Sequence, residues 1–411
     1  MKRTTVITFA IAGFGIAACG STVTPTVSST VAPMVAATSA PTASIAPATA
    51  AASPTPSSTP TGVVSPLAAV GAPRGADGGG PYVLGLVNAA GKVVASATAT
   101  TPSDFEAVSD PPLTSTSDNR LYFEDGNNAI DYLTPTGQHG VAFTISRPAG
   151  VIVAFAVSPD DTRVAVAILS NWDGIAPQYT SHMYLMAMGG GIEQTLYDGT
   201  GTSSTHPLTW PIGWDGSNLV VAQSFYYAGV IGGGPCGSYG TVGTTQCADQ
   251  LREFNPATRS FGPVLCPGGT LSGVPAAVGI ACTTSGLQAV SWSGAITSFG
   301  SSIPSDGTCV LSPQGAVIAC PSVLVNGNTY AAQDLPAHLF RAGGVAQPIP
   351  NPGNAQIIGW IDGNDVVVTT GTDSQGLAVE NIVTGKQIAV SLATGPDHFL
   401  YEEYGEIPGG F

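Results

Sequence analysis

Two kinds of β-hairpin alternate along this chain, and that alternation constrains its fold more than any other feature. From about residue 80 onward, short runs of alternating apolar and polar residues are broken by Gly, Asn or Asp. This is the chemistry of strands and tight turns. One hairpin type recurs seven times, usually with glycine at its turn: Tyr82–Ala97, Ala129–Ile145, His182–Tyr197, Leu251–Cys266, Leu287–Phe299, His338–Ile349 and Leu377–Leu392. A second type falls between these copies, at Phe155–Val166, Ile212–Val221, Val310–Ala319 and Ile358–Val368, with weaker copies at Leu113–Phe123 and around Val278–Cys282. Two hairpins per repeat of about 40–50 residues is the layout of a four-stranded propeller blade. The expected fold is therefore an all-β propeller of six or seven blades over residues 80–411; a pair of β-sandwiches is the alternative. The chain would enter at an outer hairpin, so the first blade takes its inner strands from near His398–Tyr404 and closes the ring.

Composition agrees. Charged residues are 9% of the 411, with 26 acidic against 11 basic side chains and a net charge of −15. So acidic a chain neutralises few phosphates, which excludes nucleic acid as a partner. The 53 glycines and sparse charge argue against long helices.

The first 20 residues carry an address. Lys2 and Arg3 precede an apolar run, Val6–Ile16, that is shorter than the roughly 20 residues of a spanning helix. It ends in Ile16-Ala17-Ala18-Cys19, which resembles the lipobox of bacterial lipoproteins. The resemblance implies removal of residues 1–18 and lipid on Cys19, giving a membrane-anchored extracytoplasmic protein that meets the membrane through its lipid alone. Residues 19–75 follow as a linker rich in Ser, Thr, Pro and Ala. With almost no large apolar side chains it is expected to be a disordered stalk.

The turns Ser158-Pro159-Asp160-Asp161 and Ser312-Pro313-Gln314-Gly315, each before an apolar strand, resemble the repeats of TolB-type and WD-repeat-like β-propellers. The resemblance spans most of 81–411. It implies a protein partner as the default.

Six cysteines besides Cys19 suggest disulfides in an exported domain. Cys309 and Cys320 are symmetric about Gln314-Gly315, so a hairpin there sets them opposite each other on adjacent strands. Cys236 and Cys247 bracket a glycine-rich stretch, and Cys266 and Cys282 remain. The motifs G-x-S-x-G, H-E-x-x-H and the P-loop are all missing, and the five histidines lack metal-ligand spacing. No cofactor or bound metal is expected. The oxygen-rich stretches Glu124–Asp131 and Asp362–Asp365 read as turns, with calcium as the alternative. Trp214 and Trp360 hold matching repeat positions, which favours packing between blades over ligand stacking.

In a propeller, the loops joining second to third strands share a face with those joining successive blades. Here the long stretches are 170–181, 223–249 and 321–334, with 198–207 beside them. They carry Trp172, Tyr179, His206, Tyr226 and Tyr227, the candidate contacts for a protein or glycan ligand; folding down as loop anchors is the alternative. A propeller hydrolase or lyase is the alternative function, with Asp173 and His206 as its acid–base candidates.

Overall fold

The computed structural model describes residues 65–72, 81–102, 113–126, 128–148, 151–170, 179–201, 207–224, 250–267, 270–301, 309–320, 337–350, 356–370, 376–393, 402–409 and 411. These form seven four-stranded antiparallel sheets, the blades of a β-propeller. Blade 1 comprises β1 (Leu67–Ala72), β2 (Pro81–Asn88), β3 (Val93–Thr100) and, as its innermost strand, β28 (Glu402–Ile407). The other six run in order from inner to outer strand. Blade 2 is β4 (Thr114–Thr116), β5 (Leu121–Asp125), β6 (Ala129–Leu133) and β7 (His139–Thr144). Blade 3 is β8 (Val151–Val157), β9 (Arg163–Ser170), β10 (Tyr179–Ala187) and β11 (Ile192–Gly201). Blade 4 is β12 (Leu208–Asp215), β13 (Asn218–Ser224), β14 (Gln250–Asn255) and β15 (Ser260–Leu265). Blade 5 is β16 (Thr270–Ala276), β17 (Gly279–Thr283), β18 (Gly286–Ser291) and β19 (Ile296–Ser301). Blade 6 is β20 (Val310–Leu311), β21 (Val317–Cys320), β22 (His338–Arg341) and β23 (Gln347–Pro348). Blade 7 is β24 (Gln356–Trp360), β25 (Asp365–Thr370), β26 (Gly376–Asn381) and β27 (Gln387–Val390).

Both hairpin types thus occupy the places their spacing implies. One expectation needs correction. The first blade takes a single strand from the C-terminal side, and its second strand, β1, lies inside the stretch read as linker. Leu67 pairs with Asn88 on one side and Ile407 on the other. The sequence Leu-Ala-Ala-Val-Gly-Ala does not alternate with polar residues because both its faces are buried. Ala68 and Val70 pack toward blade 7, while Leu67 and Ala69 pack toward blade 2. The propeller therefore starts before residue 80.

The core is a ring of blade-to-blade contacts. β8 shows how one strand serves two of them. Successive side chains on a strand point to opposite faces, so Ile152, Ala154 and Ala156 join the cluster with blade 4. Val153, Phe155 and Val157 join the cluster with blade 2. Trp214 and Trp360 tie neighbours together. The indole of Trp214 donates to the Ala156 carbonyl at 3.0 Å, and that of Trp360 to the Val310 carbonyl at 3.1 Å. In both cases the acceptor lies on the innermost strand of the preceding blade, so these rings are blade-packing residues.

The two Ser-Pro turns are built alike. Ser158 N donates to the Arg163 carbonyl at 2.9 Å, and Ser312 N to the Val317 carbonyl at 2.8 Å. Each serine hydroxyl accepts from the backbone N–H of that same partner. Asp161 and Gly315 take the positive φ that the turn requires, 58° and 70°. The closed loop is longer than a two-residue turn, but its centre still falls between Gln314 and Gly315, so Val310 faces Ala319. The next pair outward is Cys309 with Cys320, which form a disulfide with Cα atoms 4.2 Å apart. Cys266 and Cys282 form a second disulfide, joining the end of blade 4 to β17 of blade 5.

Replacing Cys309 and Cys320 together by Ala should lower the unfolding free energy by about 3 kcal/mol, the loop-closure value for a bridge of this span. Denaturant unfolding of oxidised protein measures it, and adding reductant to the unsubstituted protein, which also opens Cys266–Cys282, should cost at least as much.

Candidate functional site

The two ends of the ring differ sharply. On one, the turn face, no connection within a blade exceeds five residues. On the other, the loop face, 225–249 joins β13 to β14, 321–337 joins β21 to β22, and 101–113 joins β3 to β4. The candidate residues Trp172, His206, Tyr226 and Tyr227 lie outside the described residues, as do Asp173, Cys236, Cys247 and Cys19. Tyr179 is the first residue of β10, paired with Gly201 at the loop-face end of blade 3.

The strand ends from which these connections spring are described, and they are joined by a polar chain. Ser181 accepts from the backbone N–H of Thr209 at 3.0 Å. Gln223 donates to the Thr209 hydroxyl at 3.1 Å, and Gln250 donates to the Gln223 side-chain carbonyl at 2.9 Å. Ser181, Thr209 and Gln223 are buried. Buried polar groups are as a rule hydrogen-bonded, and these bonds tie the roots of 171–178, 202–207 and 225–249 to one another. Both described disulfides also lie toward the loop face. Cys309 and Cys320 close the loop-face end of the β20–β21 pair, and Cys266 follows β15 as the chain crosses to blade 5.

Sequence reading missed a buried ion pair on the same face. Arg147, between β7 and β8, donates to Glu124 Oε2 at 3.1 Å and to the Val151 carbonyl at 3.0 Å. Both side chains are 4% exposed. The second oxygen, Glu124 Oε1, has no partner among the described residues. It borders a small pocket lined by Gly126, Asn128, Ala129, Ile130, Ile145 and Val153. Burial drives the Glu124 carboxyl up and Arg147 draws it back, leaving it at about 7. The two residues are 23 apart in sequence, with no motif to connect them. Nearer the axis, Glu406 on β28 is also pushed well above the carboxylate range by burial.

The oxygen-rich stretches serve as turns and pairs. Asp362 accepts from the backbone N–H groups of Asn364 and Asp365, and Asp365 accepts from Asn381. Asp125 caps the Thr100 N–H at 2.7 Å. Among the described residues no group of three or more His, Cys, Asp or Glu is arranged to hold a metal.

The chain matches no family model and no curated protein. Solved structures do resemble it. TolB from Acinetobacter baumannii is 11% identical, with 83% of this chain and 67% of that one covered and a TM-score of 0.36. The Pan2 WD40 domain of Neurospora crassa is 11% identical over 70% and 80% of the two chains, with a TM-score of 0.39. The Dos1 propeller is 13% identical over 77% and 82%, with a TM-score of 0.37. The propeller assignment itself stands on the strand pairing described above. A rigid propeller with one elaborated face suggests a binding or interaction module.

Glu124 gives a pH test. Its carboxyl lies at about 7 when folded, against 4.5 ordinarily. The folded state therefore holds a proton that the unfolded chain releases between these values. Stability from this group is complete below the lower value, falls as pH rises through the window, and is lost above the upper one. Unfolding free energy should drop by about 3 kcal/mol more between pH 4.5 and 7.5 in the parent protein than in Glu124→Gln. Denaturant titrations across that range provide the check.

Proposed function

We propose that this protein is a lipid-anchored, extracytoplasmic binding module whose loop face recognises a protein or a glycan. The observation that carries the reading is the inequality of the two faces. The strand pairing can be completed with short connections, and every hairpin of the turn face has one. The loop face instead carries its longest connection, 225–249, beside 171–178 and 202–207. The strand ends at their base are held by the Ser181–Thr209–Gln223–Gln250 chain. Long connections on fixed strand ends suit recognition. Their Trp172, Tyr226 and Tyr227 suit it as well, because aromatic side chains supply contact area at low entropic cost. The anchor rests on the Ile16-Ala17-Ala18-Cys19 tetrad. The exported address fits the two disulfides, since such bridges persist in oxidising compartments.

Two experiments test this. Cys19→Ala should move the protein from the membrane fraction to the soluble or secreted fraction, and unchanged membrane retention removes the lipid anchor from the reading. Replacing 225–249 by a short Gly-containing turn should leave the thermal midpoint within a few degrees, because surface-loop length costs little. It should also abolish capture of the partner that the full-length protein retains in a cross-linked pull-down. Undiminished capture would exclude this connection as the recognition element.

A further inference from the structure

We propose that one sector of the turn face, spanning blades 4 to 7 and blade 1, lies directly on an anionic lipid bilayer. The inference rests on the lipid-anchor reading for its orientation, while its chemistry comes from the propeller itself.

The point of entry comes first. β1 begins at Leu67 beside Asn88, the residue at which β2 turns toward β3. The chain leading from Cys19 therefore joins the propeller on the turn face, opposite the loop face. Forty-seven residues lie between Cys19 and Leu67, enough for the domain either to stand off the membrane or to lie on it. The surface chemistry of this face decides between the two.

Lys92, Arg259 and Lys386 lie in the outer turns of blades 1, 4 and 7, Arg341 ends β22 at the outer turn of blade 6, and all four are exposed. The carboxylates of the same sector are withdrawn. Asp215, Glu253, Asp362 and Asp365 are half-buried, and three of them bond within the domain. Glu253 accepts from Asn218, Asp365 from Asn381, and Asp362 from two backbone N–H groups. Among the described residues, every exposed charge on the turns of these five blades is positive. The exposed carboxylates of the turn face, Asp118 and Asp160, belong to blades 2 and 3. In a chain of net charge −15, four exposed cations on one sector form a pronounced local exception.

Aliphatic side chains break the surface in the same sector. Val345 is 85% exposed, Val383 65%, Ile296 59% and Val278 41%. Val278 and Ile296 flank the turns of blade 5, and Val345 and Val383 sit in the outer turns of blades 6 and 7. Exposed apolar groups interleaved with cations fit a headgroup layer. The cations meet anionic phosphates, and the aliphatic tips enter the acyl boundary. A single lipid chain holds only weakly, and a basic patch supplies the second contact that stable attachment needs. With the turn face down, the loop face points away from the bilayer toward its partner.

The test uses residues 19–411, the chain left once 1–18 are removed, carrying Cys19→Ala so that no lipid is attached, in sedimentation with phosphatidylglycerol or phosphatidylcholine vesicles. The parent should bind phosphatidylglycerol at least ten-fold more tightly than phosphatidylcholine, and 0.5 M salt should remove most of that preference. Adding Arg341→Gln and Lys386→Gln, a change of two charges, should weaken phosphatidylglycerol binding by at least ten-fold, at about five-fold per cation removed from the surface. The matched pair Thr136→Glu and Gln138→Glu, on an outer turn of blade 2, should change it less than two-fold. Both pairs are exposed, so circular dichroism should be unaltered. Equal binding to the two lipids, or equal loss from both pairs of substitutions, would overturn the proposal. The anchor reading fails independently, if cells carrying Cys19 and those carrying Cys19→Ala fractionate alike, and that result leaves the vesicle measurement to stand or fall by itself.

Discussion

Each blade of this propeller is a sheet with two apolar faces, and neither can be left to water. A four-stranded sheet of this kind is stable only between two others, so the ring must close. Closure falls to blade 1, where β28 and β1, drawn from opposite ends of the domain, pair through Leu67–Ile407 and the residues beside them. Ala68 and Val70 then complete the interface with blade 7, while Leu67 and Ala69 complete the one with blade 2. Without that pairing two interfaces would open at once. The other blade contacts, including the Trp214 and Trp360 anchors, depend on a circle that this one sheet completes.

The ring explains what could and could not be read from the chain. Outer hairpins were legible because their strands are half-solvated and alternate, and because their turns demand Gly, Asn or Asp. Inner hairpins were legible where a Ser-Pro or Trp motif repeated. The pairing of Cys309 with Cys320 needed only the turn's centre, which survives a change in turn length. β1 was hidden because double burial erases alternation and leaves a string of small apolar residues that looks like linker. The Glu124–Arg147 pair was hidden for a different reason. Its partners meet through the contact between two blades, which no local pattern encodes. The candidate site divides in the same way: the lengths of its connections were plain in the sequence, and the hydrogen-bonded strand ends beneath them emerged only in three dimensions. The cations of the turn face come from four blades far apart in sequence, and their convergence is a property of topology.

The two faces are held together by different devices. Short turns with internally bonded carboxylates hold the lower rim, while two disulfides and a buried polar chain hold the upper one.

The position of β1 has a mechanical consequence. The strand runs inward from its point of entry with β2 on one flank and β28 on the other. Tension applied along the axis of this strand would act on both pairings at once. It therefore loads both hydrogen-bond ladders in shear, sharing the force among many bonds, whereas a terminal strand on an outer edge could be peeled away one bond at a time. A domain held by its N-terminal side in a moving fluid, or pulled by whatever it has captured, would carry that strain on the sheet that also closes its ring.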